Sequence, residues 1–153
     1  MASAQIPISL RTGVFLARFH LKPQDVNLFS IALRAPGVPH PDGLGGNKSL
    51  AQIGDTLLQL YFQLEGRRRG ASREQIAAVI QNVASNVNLT QRGFALGIDD
   101  YVHNNPSQRG VVSAGLMAST MGALLGAVFL DSGEELAAVG VMMVAFGLTW
   151  PEE

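Results

Sequence analysis

Apolar residues recur along this chain every three or four positions and nowhere alternate, so the pattern predicts helices throughout and no strand. The first predicted helix runs from Gln24 to Leu33 behind Pro23, a residue suited to a first turn, and Pro36, Pro39 and Pro41 stop it. Residues 37–46, rich in Gly and Pro, read as a loop. A second helix is predicted from Lys48 to Leu64. It carries Leu50, Ile53, Leu57, Tyr61 and Leu64 in one stripe, with Gln52, Asp55, Gln59 and Gln63 on other faces. Gly66 is expected to end it and to leave Arg67, Arg68, Arg69 and Gly70 as a basic loop. Ser72-Arg-Glu-Gln75 is a capping box, in which the hydroxyl accepts a backbone N–H and the amide side chain returns the bond. The helix behind it aligns Ile76, Val79, Ile80, Val83 and Val87. A shorter helix covers Leu89 to Leu96, and Asn104-Asn-Pro-Ser107 is a loop.

Two apolar runs close the chain. Val111 to Leu130 holds twenty residues without a charge, enough to span a bilayer, and Gly122-Ala-Leu-Leu-Gly126 matches the small-residue motif of packed membrane helices. The second run, Leu136 to Trp150, has only fifteen residues, and neither run has strong Lys/Arg flanks. The expectation is a core helix wrapped by others, followed by a last helix from about Gly133 to Gly147. A membrane hairpin is the alternative, and no membrane partner is expected.

Composition narrows this picture. The 153 residues suit one domain, 1–153, with a core of its own. Charged residues make up only 15%, against about 25% in typical domains, and hydrophobic residues 47%, which argues against a disordered chain. There is no cysteine, so disulfides, thiolate zinc sites and thiol nucleophiles are excluded. The net charge is −1, so no bulk positive field draws the protein to nucleic acid. The charge is nonetheless uneven: residues 1–92 hold ten of the eleven basic residues and five acids, residues 93–153 one basic residue and seven acids. His20, His40 and His103 lack metal-ligand spacing, and Gly43-Leu-Gly-Gly46 lacks the Lys-Ser/Thr of a phosphate loop. No basic segment precedes an apolar run at the N-terminus, which predicts an intracellular protein, cytoplasmic or nuclear. Arg11, Arg18 and Lys22, unaccompanied by acids, make a mitochondrial location the alternative.

Three stretches, in order, resemble the ribonuclease III endonuclease-domain family. Asn47-Lys-Ser-Leu-Ala-Gln-Ile-Gly-Asp-Thr-Leu-Leu58 is similar to its signature Asn-Glu-x-Leu-Glu-Phe-Leu-Gly-Asp-Ala-Val-Leu. Ser85 to Val102 is similar to Asn-x-x-Leu-Ala-x-x-Ala-x-x-Leu-Gly-Leu-x-x-Tyr. Ala123-Leu-Leu-Gly-Ala-Val-Phe-Leu-Asp-Ser-Gly133 is similar to Ala-Leu-Ile-Gly-Ala-Ile-Tyr-Leu-Asp-x-Gly. Phe19 to Leu33 also resembles the family's first helices, and the likeness covers about residues 15–148. It implies an all-α, ribonuclease III endonuclease-like helical domain, without an appended double-stranded-RNA-binding domain.

The resemblance also implies where catalysis would reside. Phosphodiester hydrolysis by Mg²⁺ needs several carboxylates converging on one or two ions. The family supplies two from each of two helices, four and three residues apart, so that each pair shares a face. Here those positions hold Ala51 and Asp55, then Ser119 and Gly122, leaving one carboxylate. Glu65, ten residues past Asp55, lies about 15 Å along a helix, and Asp131, nine past Gly122, about 13 Å, so neither reaches. No catalytic set is intact, and a Mg²⁺ cofactor is not expected. The expected function is a catalytically inactive domain acting as a dimeric scaffold or structured-RNA-binding protein in RNA processing or silencing. A weakly active double-stranded-RNA endoribonuclease built on Asp55 and altered ligands is the alternative.

Partners follow from the same residues. Arg67, Arg68 and Arg69 are the candidate RNA phosphate contacts. Gln52 stands where the family's signature carries a phenylalanine that is similar to a plug into the partner subunit. Leu58 and Phe62 form a second apolar face on the same helix, so Gln52, Leu58 and Phe62 are the candidate interface of a homodimer. A heterologous protein is the other candidate partner.

Overall fold

Among residues 5–152, which the computed structural model describes, seven α-helices follow one another. They are α1 (Ile8–Arg18), α2 (Val26–Ala32), α3 (Lys48–Arg68), α4 (Arg73–Val83), α5 (Asn86–Ala95), α6 (Ala114–Asp131) and α7 (Leu136–Phe146). Two 3₁₀ turns, Ile98–Tyr101 and Pro106–Gln108, join α5 to α6. The only extended pairing among these residues is one isolated bridge between Arg34 and His103.

Side-chain caps set most boundaries, and they shift several of those the pattern predicts. Asp25, not Pro23, caps α2, accepting from the Asn27 N–H at 3.0 Å. The Ser72–Gln75 capping box forms as predicted. Ser85 then caps α5, accepting from the Asn88 N–H, so the chain breaks after Val83 and Val87 leaves the core stripe for solvent. Ser113 caps α6. Gly66 does not end α3. It is buried against Ile76 and Trp150, where a side chain has no room, and the helix runs on to Arg68. The expected basic loop is therefore mostly the last turn of α3. α1 precedes the first helix that the pattern predicts.

The core is organised around α6. From Thr120 to Val128 every residue is buried, with α2, α3, α5 and α7 packed around the helix. α6 is long and apolar enough to cross a bilayer, but most of it is enclosed by protein, as in the expected core helix. Its closest neighbour is α3, and the crossing is made of small residues. A Cβ added to Gly54 would overlap the Gly122 carbonyl, and one added to Gly126 would stand 2.6 Å from the Leu50 oxygen. Asn47 locks the same junction. Buried completely, it donates from Nδ2 to the Ala32 carbonyl at 3.0 Å and to Thr120 Oγ1 at 3.1 Å. It thereby ties the end of α2 and the start of α3 to the middle of α6.

A second junction joins the N-terminal helix to the Arg34–His103 bridge. Arg11 donates from Nε to the Ile6 carbonyl and from Nη1 to the Val102 carbonyl. Burial first, and then the charges of Arg11 and Arg34, hold the His103 imidazole below its ordinary range. A folded state that prefers neutral His103 keeps its full stability above the unfolded imidazole pKa, about 6.5, and loses it as pH falls from there towards the folded value. Thermal melts should therefore fall between pH 7.5 and pH 5.5, and His103→Gln should flatten that part of the profile.

Candidate functional site

The crossing of α3 and α6 carries the candidate site. α3 places Ala51 and Asp55 one turn apart, α6 presents Ser119 and Gly122, and all four line one groove of about 620 Å³. Lys48, Gln52, Thr56 and Asn86 join them, with Leu58, Leu89 and Ala118 at the floor. The four positions singled out by the motif register are thus brought together by the fold. Lys48, Thr56 and Asn86 were not singled out. Asn86 arrives only because Ser85 starts α5 at that point.

The donor chemistry of this groove does not fit the family's metal centre. Mg²⁺ demands hard oxygen ligands, and a two-metal site needs carboxylates on both sides of the reacting phosphate. Here Asp55 is the one carboxylate in the lining; Ala51 and Gly122 offer no side-chain donor, and Ser119, Thr56, Gln52 and Asn86 are neutral. Lys48 adds a positive charge where the quoted signature has a glutamate. No group of three or more His, Asp or Glu side chains converges anywhere among the described residues. The two distant acids are engaged elsewhere: Glu65 pairs with Arg68 and Arg69, and Asp131 accepts from the Asp25 N–H at 2.7 Å. A glutamate side chain at position 122 would also start 3.3 Å from the Ala51 carbonyl oxygen, tighter than most Cβ contacts.

The candidate RNA contacts are partly neutralised. Arg68 and Arg69 both pair with Glu65, and Arg69 reaches Glu152 at 2.7 Å while its guanidinium lies 5.5 Å from the Trp150 ring. These hydrogen bonds, to Glu152 first and then to Glu65, raise the Arg69 pKa, and the same bond pulls the Glu152 carboxyl down. Arg67 alone of the three has no ion pair among the described residues. The candidate interface is likewise divided. Gln52 is exposed, in a row with Thr56, Gln59 and Gln63, but Leu58 and Phe62 are 0% exposed, because they form the face of α3 that packs into its own core. The apolar residues that α3 does expose are Leu60 and Leu64.

Comparison with known proteins bears on the fold. No protein-family model matches the chain. Ribonuclease 3 of Oleidesulfovibrio alaskensis is 29% identical over 135 residues, covering 84% of this chain. Two solved structures of the nuclease domain of ribonuclease III from Campylobacter jejuni superpose with TM-scores of 0.75 and 0.74 at 15% and 16% identity, over 90% of this chain and 96% and 95% of theirs. The fold is that of a ribonuclease III endonuclease domain. The likeness of the three sequence stretches is therefore matched by the all-helical architecture that they imply. The chain spans 58% of the length of the Oleidesulfovibrio relative. The first Campylobacter structure is described as showing structural flexibility in the region involved in dimer formation. The groove at the α3–α6 crossing holds Ala51, Asp55, Ser119 and Gly122, the positions that the sequence resemblance assigns to carboxylates, and Asp55 is the one carboxylate among them.

Proposed function

We propose that this ribonuclease III-type domain does not cleave RNA and serves instead as a dimeric scaffold that holds structured RNA through its phosphates. The observation that carries the reading is the groove itself, with one carboxylate, one lysine and neutral side chains on the two helices where metal ligands would converge. A second copy is supported by the exposed α3–α4 surface. There Gln59 and Gln63 stand beside Ile76, Ala77 and Ile80, a mixed surface of the kind that two copies can share across a two-fold axis. A solved structure of similar fold is described in terms of dimer formation, which supports a second copy without saying which surface it would use.

The RNA part of the proposal narrows to Arg67, since Arg68 and Arg69 are held by Glu65 and Glu152. Titration of a labelled double-stranded RNA should show binding that weakens steeply with salt. Arg67→Ala should lower affinity for all sequences alike and reduce the salt slope by about one. Arg68→Ala should do less, because its charge is already compensated. Absence of binding at low salt would remove RNA from the proposal and leave the protein scaffold.

A further inference from the structure

Arg34 is buried, 6% exposed, and makes no ion pair and no side-chain hydrogen bond among the described residues. The other two buried polar residues, Asn47 and Thr120, bond to each other. A buried charge without a counter-charge is costly, so a chain keeps one where something arrives to meet it. The guanidinium is not sealed. Among the described residues Asn47 Oδ1 is the one fully enclosed side-chain polar atom without a partner, so the Arg34 nitrogens retain a narrow opening to solvent.

The neighbours of Arg34 are basic. The Ala35 N–H donates to the His103 carbonyl at 2.8 Å and the His103 N–H to the Leu33 carbonyl at 2.7 Å. Arg34 and His103 are thus opposite residues of a parallel bridge, and opposite residues send their side chains to the same side. The His103 imidazole is half-buried and also makes no hydrogen bond or ion pair among the described residues. Arg11 comes in from α1. Its Nε and Nη1 hold the Ile6 and Val102 carbonyls, and its Nη2 has no bond of its own among the described residues. The charges that bear on His103 are those of Arg11 and Arg34, with no carboxylate among them.

We propose that Arg34, His103 and Arg11 form an anion site that takes a single phosphate group. The Arg34 fork presents two parallel N–H groups to two oxygens of one oxyanion. A phosphate has further oxygens for the imidazole N–H and for Arg11 Nη2, whereas a carboxylate has only two and lies flat. The site is separate from the α3–α6 groove and from Arg67. Gly46 packs against the Ala35 backbone just before α3 begins, and Arg67 stands at the far end of that helix, about 30 Å away for 21 residues. The phosphate is either free, as an inorganic ion or phosphomonoester, or part of an RNA backbone, and the two sources give different results below.

The chain has three histidines, so imidazole NMR signals report on the site directly. Millimolar inorganic phosphate at constant ionic strength should move the His103 signals and leave those of His20 and His40 in place. Arg34→Met should weaken that binding by at least about tenfold, the loss expected for a charge-assisted hydrogen bond. Arg67→Ala should leave it unchanged, so failure of RNA binding at Arg67 reads separately. In phosphate-free buffer Arg34→Met should melt no lower than the wild type, because it removes an unpaired buried charge. With phosphate at a hundredfold excess over Kd the wild type should gain about 5–10 °C, and the variant should gain less. A His103 shift produced by a short RNA duplex in the absence of free phosphate assigns the group to a nucleic-acid backbone; a shift produced by inorganic phosphate alone assigns it to a free ion or monoester. Silent His103 signals under both would overturn the proposal. So would an equal shift with acetate or chloride, or an Arg34→Met chain that melts several degrees lower without phosphate, which would give the guanidinium a partner within the fold.

Discussion

Gly54→Val is expected to destabilise the domain by at least about 3 kcal/mol, the upper part of the usual range for overpacking a core. Thermal unfolding should then fall by about 6–12 °C, at about 2–4 °C per kcal/mol for a chain of this size. Any Cβ at position 54 overlaps the backbone carbonyl of Gly122, and backbone cannot rotate aside as a side chain would. α3 and α6 must separate, and the separation also pulls on Asn47, whose amide joins α2 and α6. Gly115→Ala in the first turn of α6 is the control. Its Cβ meets nothing within 4 Å, so the change should be neutral or stabilising by about 0.4–1 kcal/mol.

Leu58→Glu is expected to unfold the protomer, not merely to separate two copies. The side chain is 0% exposed, and leaving an unpaired carboxylate there costs about 3–5 kcal/mol, a large share of the stability of any domain. Leu60→Glu, two residues on, should stay within about 0.5 kcal/mol of the wild type, because its side chain already meets solvent. Urea unfolding followed by circular dichroism separates the two. Equal and small effects would return Leu58 to an interface and contradict its placement in the core.

The contrast between Leu58 and Leu60 shows what the periodicity can and cannot convey. α3 carries apolar residues on most of its circumference, so its stripe is legible but its inner face is not. That face is chosen by where α6 lies, and α6 is known only from the fold. The end of α3 was hidden for a related reason: Gly66 reads as a stop signal, yet Ile76 and Trp150 pack against it and the helix continues. α1 escaped notice because Ile8, Leu10 and Val14 are exposed and only Phe15 and Leu16 turn inward, which blurs its stripe. Elements fixed by local chemistry were plain, as with the capping box of α4 and the uniform apolarity of α6.

The site divides in the same way. Ala51, Asp55, Ser119 and Gly122 were legible through the register of the family resemblance, and the fold brings them into one groove. The entry of Asn86 into that groove depends on the helix break at Ala84 and Ser85, where α4 ends and α5 begins. The pairing of Arg69 with Glu152 joins residues 83 positions apart, a distance over which no motif operates.

Cleavage of double-stranded RNA in Mg²⁺ or Mn²⁺ tests the central claim most directly. The account predicts that the purified protein leaves the RNA full-length and that Asp55→Ala changes nothing. It further predicts that joint Ala51→Glu, Ser119→Asp and Gly122→Glu substitution restores at most metal binding without efficient turnover, since the residues that orient ligands are also needed. Metal-dependent cleavage by the wild-type chain that disappears in Asp55→Ala would contradict it.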